Sequence, residues 1–252
     1  MTNIAYAKVQ AREVNYKAGD VSLKGYIAYD DAIKGKRPGI LVVHEWWGHN
    51  QHARSRAKML AGMGYTALAL DMYGDEKFAD HPQKAGEFMD AAFKDWEGSK
   101  AKFNEAKKVL QEHETVDRKK IGVIGFCFGG AVSLRLAREG EDLAGVAAFH
   151  SALPMDPPVA KNKVLASILV INGAEDPFLK PETVGAFMRE MVEANVDLTY
   201  LSLPGIKHSF TNPQADEFQK KFNLPALAYD KRADDRSWYA MQSFFKRVFA
   251  GK

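Results

Sequence analysis

Residues 121–138 read Ile-Gly-Val-Ile-Gly-Phe-Cys-Phe-Gly-Gly-Ala-Val-Ser-Leu-Arg-Leu-Ala-Arg, a strand pattern that runs into a helix pattern. The Ile- and Val-rich start predicts a buried strand, and the run from Ala131 has helical spacing with no breaker. Between them lies a G-x-C-x-G pattern with Cys127 at its centre. Glycines two positions before and after Cys127 would let strand and helix approach closely, so that the thiol stands out from the sheet on a strained turn.

The place of Cys127 at the start of a helix favours nucleophilic chemistry. The first N–H groups of a helix and its dipole stabilise a thiolate and a developing oxyanion. Two other interpretations of the pattern stay open at this point: a buried cysteine in a glycine-rich connection, and the phosphate-binding turn of a nucleotide-binding fold.

The composition indicates one domain over residues 1–252. Of the 252 residues 46% are hydrophobic, which is enough for a single sizeable core, and no linker or repeat interrupts the chain. The formal net charge of +3 is too small to predict binding to nucleic acid or to an anionic membrane. The single cysteine excludes an intramolecular disulfide. Because neither a signal-peptide pattern nor a bilayer-spanning apolar run is visible, the sequence predicts a cytoplasmic protein.

Short apolar runs alternate with helical segments from residue 39 to the C-terminus. This alternation predicts an α/β fold with a mostly parallel central sheet, helices on both faces and no separate lid domain. The first 30 residues instead predict a hairpin with its turn at residues 18–20. Residues 81–113 have a helical composition, and residues 209–230 predict a loop with about one helical turn. A last helix is predicted over residues 234–249, with a buried face of Trp238, Met241, Phe245 and Val248.

Reactive side chains follow several predicted strands: Glu45, Asp71, Cys127, Asp176 and His208. In parallel sheets, the carboxyl ends of the strands form the crevice in which ligands bind. A thiol nucleophile needs a base, and the base needs a third group that holds its tautomer. The order Cys127, Asp176, His208 along the chain is that of the triad in α/β-hydrolases. This constellation favours catalysis over the other interpretations of the cysteine turn.

The chain resembles the dienelactone hydrolase family of α/β-hydrolases over about residues 15–250. The resemblance rests on His-Glu-Trp-Trp-Gly at 44–48, Gly-Phe-Cys-Phe-Gly-Gly at 125–130, Gly-Ala-Glu-Asp at 173–176 and His-Ser-Phe at 208–210. It implies an α/β-hydrolase fold and the hydrolysis of small carboxylic esters or lactones through an acyl-thiol intermediate.

The resemblance also implies roles for individual residues. Cys127 would be the nucleophile, His208 the general base and acid, and Asp176 the carboxylate that orients His208. Glu45 matches the family's extra carboxylate near the thiol, which first tempers and then assists formation of the thiolate. The oxyanion hole would consist of the backbone N–H groups of Phe128 and Trp46.

Aromatic residues near the predicted strand ends favour an apolar or aromatic acyl or lactone group. Those expected to line a substrate pocket are Trp47, Tyr73, Phe126, Phe178 and Phe210. Family members named for dienelactone hold the substrate carboxylate with arginines, one after the second parallel strand and one just beyond the catalytic histidine. Here residues 72–108 contain no Arg, and the first Arg after His208 is Arg232. This departure predicts a preference for neutral substrates, unless Lys77, Lys84 or Lys207 replaces the arginines.

Two other functions remain compatible with the sequence. His44, His49 and His52 beside Glu45 could bind zinc for metal-assisted hydrolysis, although His49 and His52 are expected to face solvent. The chain could also be a non-catalytic binding protein with an α/β-hydrolase fold. The favoured interpretation requires no metal and no cofactor. Its partner would be a small-molecule ester or lactone, with no nucleic acid and no membrane, and the protein would be a monomer or a small homo-oligomer.

Overall fold

The computed structural model describes residues 9–75 and 77–251. Within them the strands are β1 Val9–Ala18, β2 Val21–Asp30, β3 Arg37–Val43, β4 Thr66–Leu70, β5 Val116–Phe126, β6 Gly145–Phe149, β7 Ser167–Gly173 and β8 Leu198–Leu203. They form one eight-stranded sheet in the order β1-β2-β4-β3-β5-β6-β7-β8. β2 is antiparallel to β1 and β4, whereas the pairs β3–β4, β6–β7 and β7–β8 are parallel. The predicted hairpin and the mostly parallel α/β sheet are confirmed.

Helices connect the strands over the same described residues. They are α1 Gln51–Gly62, α2 Pro82–Lys94, α3 Trp96–Glu112, α4 Phe128–Arg138, α5 Pro181–Glu193, α6 Ala215–Phe222 and α7 Lys231–Ala250. None of these helices is long and apolar enough to cross a membrane. Residues 1–8, on which the expectation of no signal peptide partly rests, lie outside the described residues.

The described chain divides into two compact units, one ending at Gly122 and the other beginning at Val123. The single domain expected over residues 1–252 stays a prediction. In the first unit, every residue of β4 is buried. One face of α1 is buried as well, through Ala53, Ala57, Leu60 and Ala61. In the second unit, β6 and β7 are buried along their whole length.

The helical composition predicted for residues 81–113 is confirmed. The segment forms two helices, because Asp95 leaves the helical conformation and its side chain caps α3 by accepting the Gly98 N–H at 3.1 Å. Two other local predictions need correction. Residues 209–230 contain the eight-residue helix α6, whose acidic first turn and basic last turn match the helix dipole. In α7, Val248 is only half-buried, and Phe244 and Phe249 join the buried face.

Candidate active site

Cys127 lies at the turn between β5 and α4, in a backbone conformation that few L-residues adopt. Its φ is 54° and its ψ is −115°, which costs on the order of 1–3 kcal/mol and persists only where the surroundings fix it. Strand and helix approach so closely that a Cβ atom on Gly125 would lie 2.2 Å from the carbonyl oxygen of Gly129. The Cys127 N–H donates to the carbonyl of Phe149, the last residue of β6, at 3.0 Å. The predicted strand–turn–helix is confirmed, and the cysteine remains partly exposed.

Asp176 and His208 come from two neighbouring strand ends and meet in a short hydrogen bond. Nδ1 of His208 donates to Oδ2 of Asp176 at 2.6 Å, and the other carboxylate oxygen accepts the Phe178 N–H at 3.0 Å. Gly173 permits this approach, because a Cβ atom there would lie 2.1 Å from the carbonyl oxygen of Ile206. The bond to Asp176 fixes the position of one ring proton of His208 and leaves Nε2 for a second partner.

Cys127 supplies that second partner. Burial by itself lowers the pKa of His208, but the electrostatic interaction with Cys127 and the hydrogen bonds to Asp176 and Cys127 outweigh it and raise the pKa to about 10. The protonated form of the His208 ring is therefore favoured by Cys127 on one side and by Asp176 on the other. The structure brings the three predicted triad residues together in one line of interacting side chains, all of them in the second unit.

The predicted aromatic residues of the second unit differ in exposure. Phe178 is 63% exposed, and its ring packs against the ring of His208 at 5.0 Å and 90°. Phe126 and Phe210 are fully buried. Phe128 is also buried and occupies the first position of α4, where backbone N–H groups lie outside the helix's own hydrogen-bond ladder. Among these rings, Phe178 is therefore the one that presents an exposed aromatic surface beside His208.

In the first unit, His44 directly follows β3 and is fully buried. Its Nδ1 donates to the carbonyl of Glu45 at 2.5 Å, and its Nε2 accepts the N–H of Met72 at 3.2 Å. Because a carbonyl only accepts and a backbone N–H only donates, the ring is the neutral Nδ1–H tautomer. Burial lowers the pKa of His44, although the Glu45 carbonyl and the Asp71 carboxylate act in the opposite direction. His44 thus ties the end of β3 to the residues that follow β4.

Glu45 is buried beside two basic side chains of α1. Oε2 of Glu45 lies 4.0 Å from Nδ1 of His52. Nε2 of His52 accepts a hydrogen bond from Nε of Arg56 at 3.3 Å, and all three side chains are buried. Since a guanidinium only donates, this bond requires the neutral tautomer of His52 with its proton on Nδ1, towards Glu45. The expectation that His52 faces solvent is wrong, because the first turn of α1 points this side chain at the carboxylate.

The loop after β3 is held by residues that follow β4. The Tyr73 hydroxyl donates to the carbonyl of Trp46 at 2.9 Å, and the Ala79 N–H donates to the carbonyl of Trp47 at 2.8 Å. Trp46 is half-buried, whereas Trp47 and Tyr73 are buried. The use of the Trp46 N–H in an oxyanion hole, and the contact of Trp47 and Tyr73 with substrate, stay predictions.

A sequence model of the dienelactone hydrolase family matches residues 23–249. The chain belongs to this family. Protein usf of Aquifex pyrophilus is 27% identical over 237 residues, which cover 92% of this chain and 96% of the relative. A solved dienelactone hydrolase-like promiscuous phosphotriesterase from metagenomic libraries is 34% identical, with a TM-score of 0.86 and coverage of 95% of this chain and 98% of that chain.

A third comparison bears on the fold alone. The dienelactone hydrolase from Anabaena variabilis is 19% identical, with a TM-score of 0.61, and the match covers 87% of this chain and 99% of that chain. The protein is thus a hydrolase of the dienelactone hydrolase type with an α/β-hydrolase fold. The alternative of a non-catalytic binding protein is wrong.

The alternative zinc site of His44, His49 and His52 is not supported by the side-chain geometry. His44 uses both ring nitrogens in hydrogen bonds to the backbone, and Nε2 of His52 is taken by Arg56. Over residues 9–75 and 77–251, no group of three or more His, Cys, Asp or Glu side chains is arranged to hold a metal ion. His49, which was expected to face solvent, is half-buried, and burial, His44 and Arg54 lower its pKa to about 3.

Sequence reasoning missed one buried residue of this dienelactone hydrolase family member. His150 directly follows β6, and its ring lies 5.0 Å from the ring of His208. The rule that found the other residues, a reactive side chain after a buried apolar run, applies to His150 as well.

Proposed function

We propose that this dienelactone hydrolase family member hydrolyses small carboxylic esters or lactones through an acyl-thiol intermediate on Cys127. The observation that carries the proposal is the line formed by the strained Cys127 turn, His208 and Asp176, with the 2.6 Å bond between the last two. A thiolate beside an imidazolium is a strong nucleophile at neutral pH, and the carboxylate keeps the imidazole oriented through the reaction.

The chemistry has two halves. The Cys127 sulfur attacks the carbonyl carbon, and the resulting oxyanion collapses with cleavage of the C–O bond to the leaving group. The His208 imidazolium gives its proton to the leaving alkoxide. His208 then takes a proton from water as the water oxygen attacks the thioester, and the C–S bond breaks to release the acid and restore the thiolate–imidazolium pair.

Two further roles in this proposal rest on the family resemblance. The N–H groups of Phe128 and Trp46 would stabilise the oxyanion, and Glu45 would temper the thiol before substrate arrives. The position of Phe128 at the first turn of α4 supports its part, because such N–H groups favour negative charge. Glu45→Gln is the direct test of the carboxylate: we expect faster oxidation of Cys127 in the absence of substrate, whereas an unchanged oxidation rate would remove Glu45 from the mechanism.

We propose that the preferred substrates are neutral, apolar or aryl esters and lactones. Each lysine that could replace the family's arginines has a neighbour of its own: Lys77 lies 3.2 Å from Asp75, Lys84 lies 2.9 Å from Glu87, and Lys207 donates to the Pro225 carbonyl at 3.1 Å. The exposed ring of Phe178 beside His208 suits an apolar or aryl group. The test compares kcat/KM for an anionic dienelactone and for a neutral ester of similar leaving-group ability. A large advantage for the anion that disappears at high salt would contradict the preference.

A second substrate class follows from one of the comparisons. The solved protein that is 34% identical over nearly the whole chain is a dienelactone hydrolase-like promiscuous phosphotriesterase. Phosphotriesters are neutral, as the preferred esters are, and their phosphorus can be attacked by the same sulfur. We expect slow hydrolysis of a neutral aryl phosphotriester that Cys127→Ala abolishes. Activity that survives this substitution would come from another site.

The mechanism is tested by iodoacetamide. Because the 252-residue sequence contains a single cysteine, one label per chain reports on Cys127 alone. Ester hydrolysis should fall in proportion to the labelled fraction, and labelling should be faster than for an ordinary buried cysteine. Full labelling with activity intact would show that Cys127 is not the nucleophile.

A further inference from the structure

His150 is the buried histidine that the proposed mechanism does not use. It is fully buried at the end of β6, and its backbone has a φ of 36°, a region that residues other than glycine seldom occupy. Such a conformation persists only where the surrounding contacts require it. Strain at a buried titratable residue next to His208 calls for a functional explanation.

The ring of His150 is held by a hydrogen bond and by packing. Its Nε2 lies 2.8 Å from Oγ1 of Thr211, which is itself buried. The ring of Phe210 lies 5.3 Å away at 79°, and the ring of Phe126 lies 6.0 Å away. The ring of His208 packs against it at 5.0 Å and 71°. The His150 ring is therefore held in place, and it packs in a T-shaped arrangement against the ring of His208, the proposed general base.

The backbone at the same place supports the nucleophile. The N–H of His150 donates to the carbonyl of Ile171 at 2.9 Å, which fixes it to β7, and the carbonyl of the preceding Phe149 accepts the N–H of Cys127 at 3.0 Å. One dipeptide thus contacts the Cys127 turn through its backbone and His208 through its side chain. A shift of this dipeptide would change the relative placement of sulfur and imidazole.

The hydrogen bonds to Asp176 and Cys127 do not fix the plane of the His208 ring, because they hold its two nitrogen atoms and still allow the ring to tilt about the line that joins these atoms. Two aromatic neighbours restrict that rotation, Phe178 and His150. Phe178 is 63% exposed and is free to adapt to a substrate, whereas His150 is fully buried and anchored to Thr211. His150 is therefore the more rigid of the two neighbours that restrict rotation of the His208 ring.

We propose that His150, anchored by Thr211, is a positioning residue that holds the ring of His208 in the plane where it reaches Cys127 and Asp176 together. The proposal rests on the proposed function in one respect, since it takes His208 as the general base. The charged and titratable groups that meet this cluster are His208, Cys127 and Asp176.

The test uses paired substitutions in the full chain. His150→Phe keeps a ring but loses the bond to Thr211, His150→Ala removes the ring, Thr211→Val removes the hydroxyl, and Thr211→Ser restores it. We expect kcat for a neutral aryl ester to fall about tenfold in His150→Phe and Thr211→Val and about a hundredfold in His150→Ala, with KM within about twofold, because misplacement by one ångström can cost that much. Thr211→Ser should return kcat to near the wild-type value.

His113→Phe is the matched control. His113 also lies 2.8 Å from a threonine hydroxyl, that of Thr115, and its ring also packs on an aromatic ring, that of Tyr29 at 4.7 Å. This variant should lose stability without a change in kcat. Folded His150→Phe and Thr211→Val proteins with wild-type kcat would overturn the proposal, and these two variants decide the question if His150→Ala does not fold.

A second readout separates this proposal from the proposed mechanism. In ¹⁵N-histidine spectra, the Nδ1–H proton of His208 should give a sharp low-field signal in the wild type and should broaden or vanish in His150→Ala and His150→Phe, but not in His113→Phe. If iodoacetamide shows that Cys127 is not the nucleophile, the spectra still report whether His150 positions His208. An unchanged His208 signal in both His150 variants would overturn the positioning role.

Discussion

His44 and His208 are both buried histidines that follow strands of the sheet, yet their pKa values move in opposite directions. Each ring nitrogen of His44 meets a backbone group, and burial is the largest influence on the ring, so its pKa is lowered. Burial also disfavours a proton on His208, but its interactions with Cys127 and Asp176 raise its pKa to about 10. The difference teaches that depth of burial does not set the charge of a histidine at a strand end; the charge of its partners does.

The two histidines also differ in what they do at the end of a strand: His44 has a structural role, and His208 has the proposed catalytic role. The neutral ring of His44 connects two loops of the first unit through its hydrogen bonds. A second proton on this ring would break the bond that its Nε2 accepts from the Met72 N–H. Around His208, Cys127 and Asp176 favour a proton on the ring, and in the proposed mechanism the ring gives up this proton to the leaving group. We expect experiments that change the partners of His208 to affect catalysis, and experiments that protonate His44 to affect folding.

The largest effect is expected from Asp176→Asn. This substitution keeps the shape of the side chain but removes the negative charge that orients His208, so kcat should fall about 10⁴-fold while the protein still folds. Glu175→Gln is the matched control, because Glu175 is the neighbouring acidic residue but is exposed. A near-normal kcat in Asp176→Asn would mean that another carboxylate orients His208, and the comparison with His44 would lose its basis.

The second prediction removes the other anionic partner. Cys127→Ser replaces the thiolate by a neutral hydroxyl, so the pKa of His208 should fall by about one to three units in an NMR titration. The signals of His44 should stay those of a neutral ring in both proteins, which provides an internal control. If His208 titrates identically in wild type and Cys127→Ser, the thiolate does not contribute to the raised pKa.

The third prediction concerns stability on the acid side. The pKa values of His44 and His49 are lowered from the usual 6.5, that of His49 to about 3. Below pH 6.5 these histidines therefore bind protons in the unfolded chain but not in the folded chain. Their contribution to the free energy of unfolding is fully present above that pH and is lost as the pH falls. His49→Gln should reduce the loss of unfolding free energy between about pH 7 and pH 5 by about 1–2 kcal/mol, measured by urea unfolding. An equal loss in both proteins would show that His49 does not contribute.

Much of the candidate site was predictable because strand ends can be recognised in a sequence. A short apolar run predicts a buried strand, and the carboxyl ends of parallel strands lie at one edge of the sheet. Cys127, Asp176 and His208 could therefore be assigned to one site from the sequence alone. The aromatic residues expected to line a substrate pocket were harder to predict. Phe126 and Phe210 are fully buried while Phe178 is 63% exposed, although all three lie next to predicted strand ends. Exposure depends on what packs above a ring, and the local sequence does not contain that information.

The sequence by itself determined the fold class, the tight turn at Cys127 and the order of the reactive residues, because hydrophobic periodicity and glycine spacing act within a few residues. Tertiary structure decided the charge states and the supporting contacts. His52 is directed at Glu45 by Arg56, and His150 meets Thr211 across 61 positions of the chain. The sequence around a histidine does not indicate its protonation state or its role, because both depend on the groups that the folded chain places next to the ring.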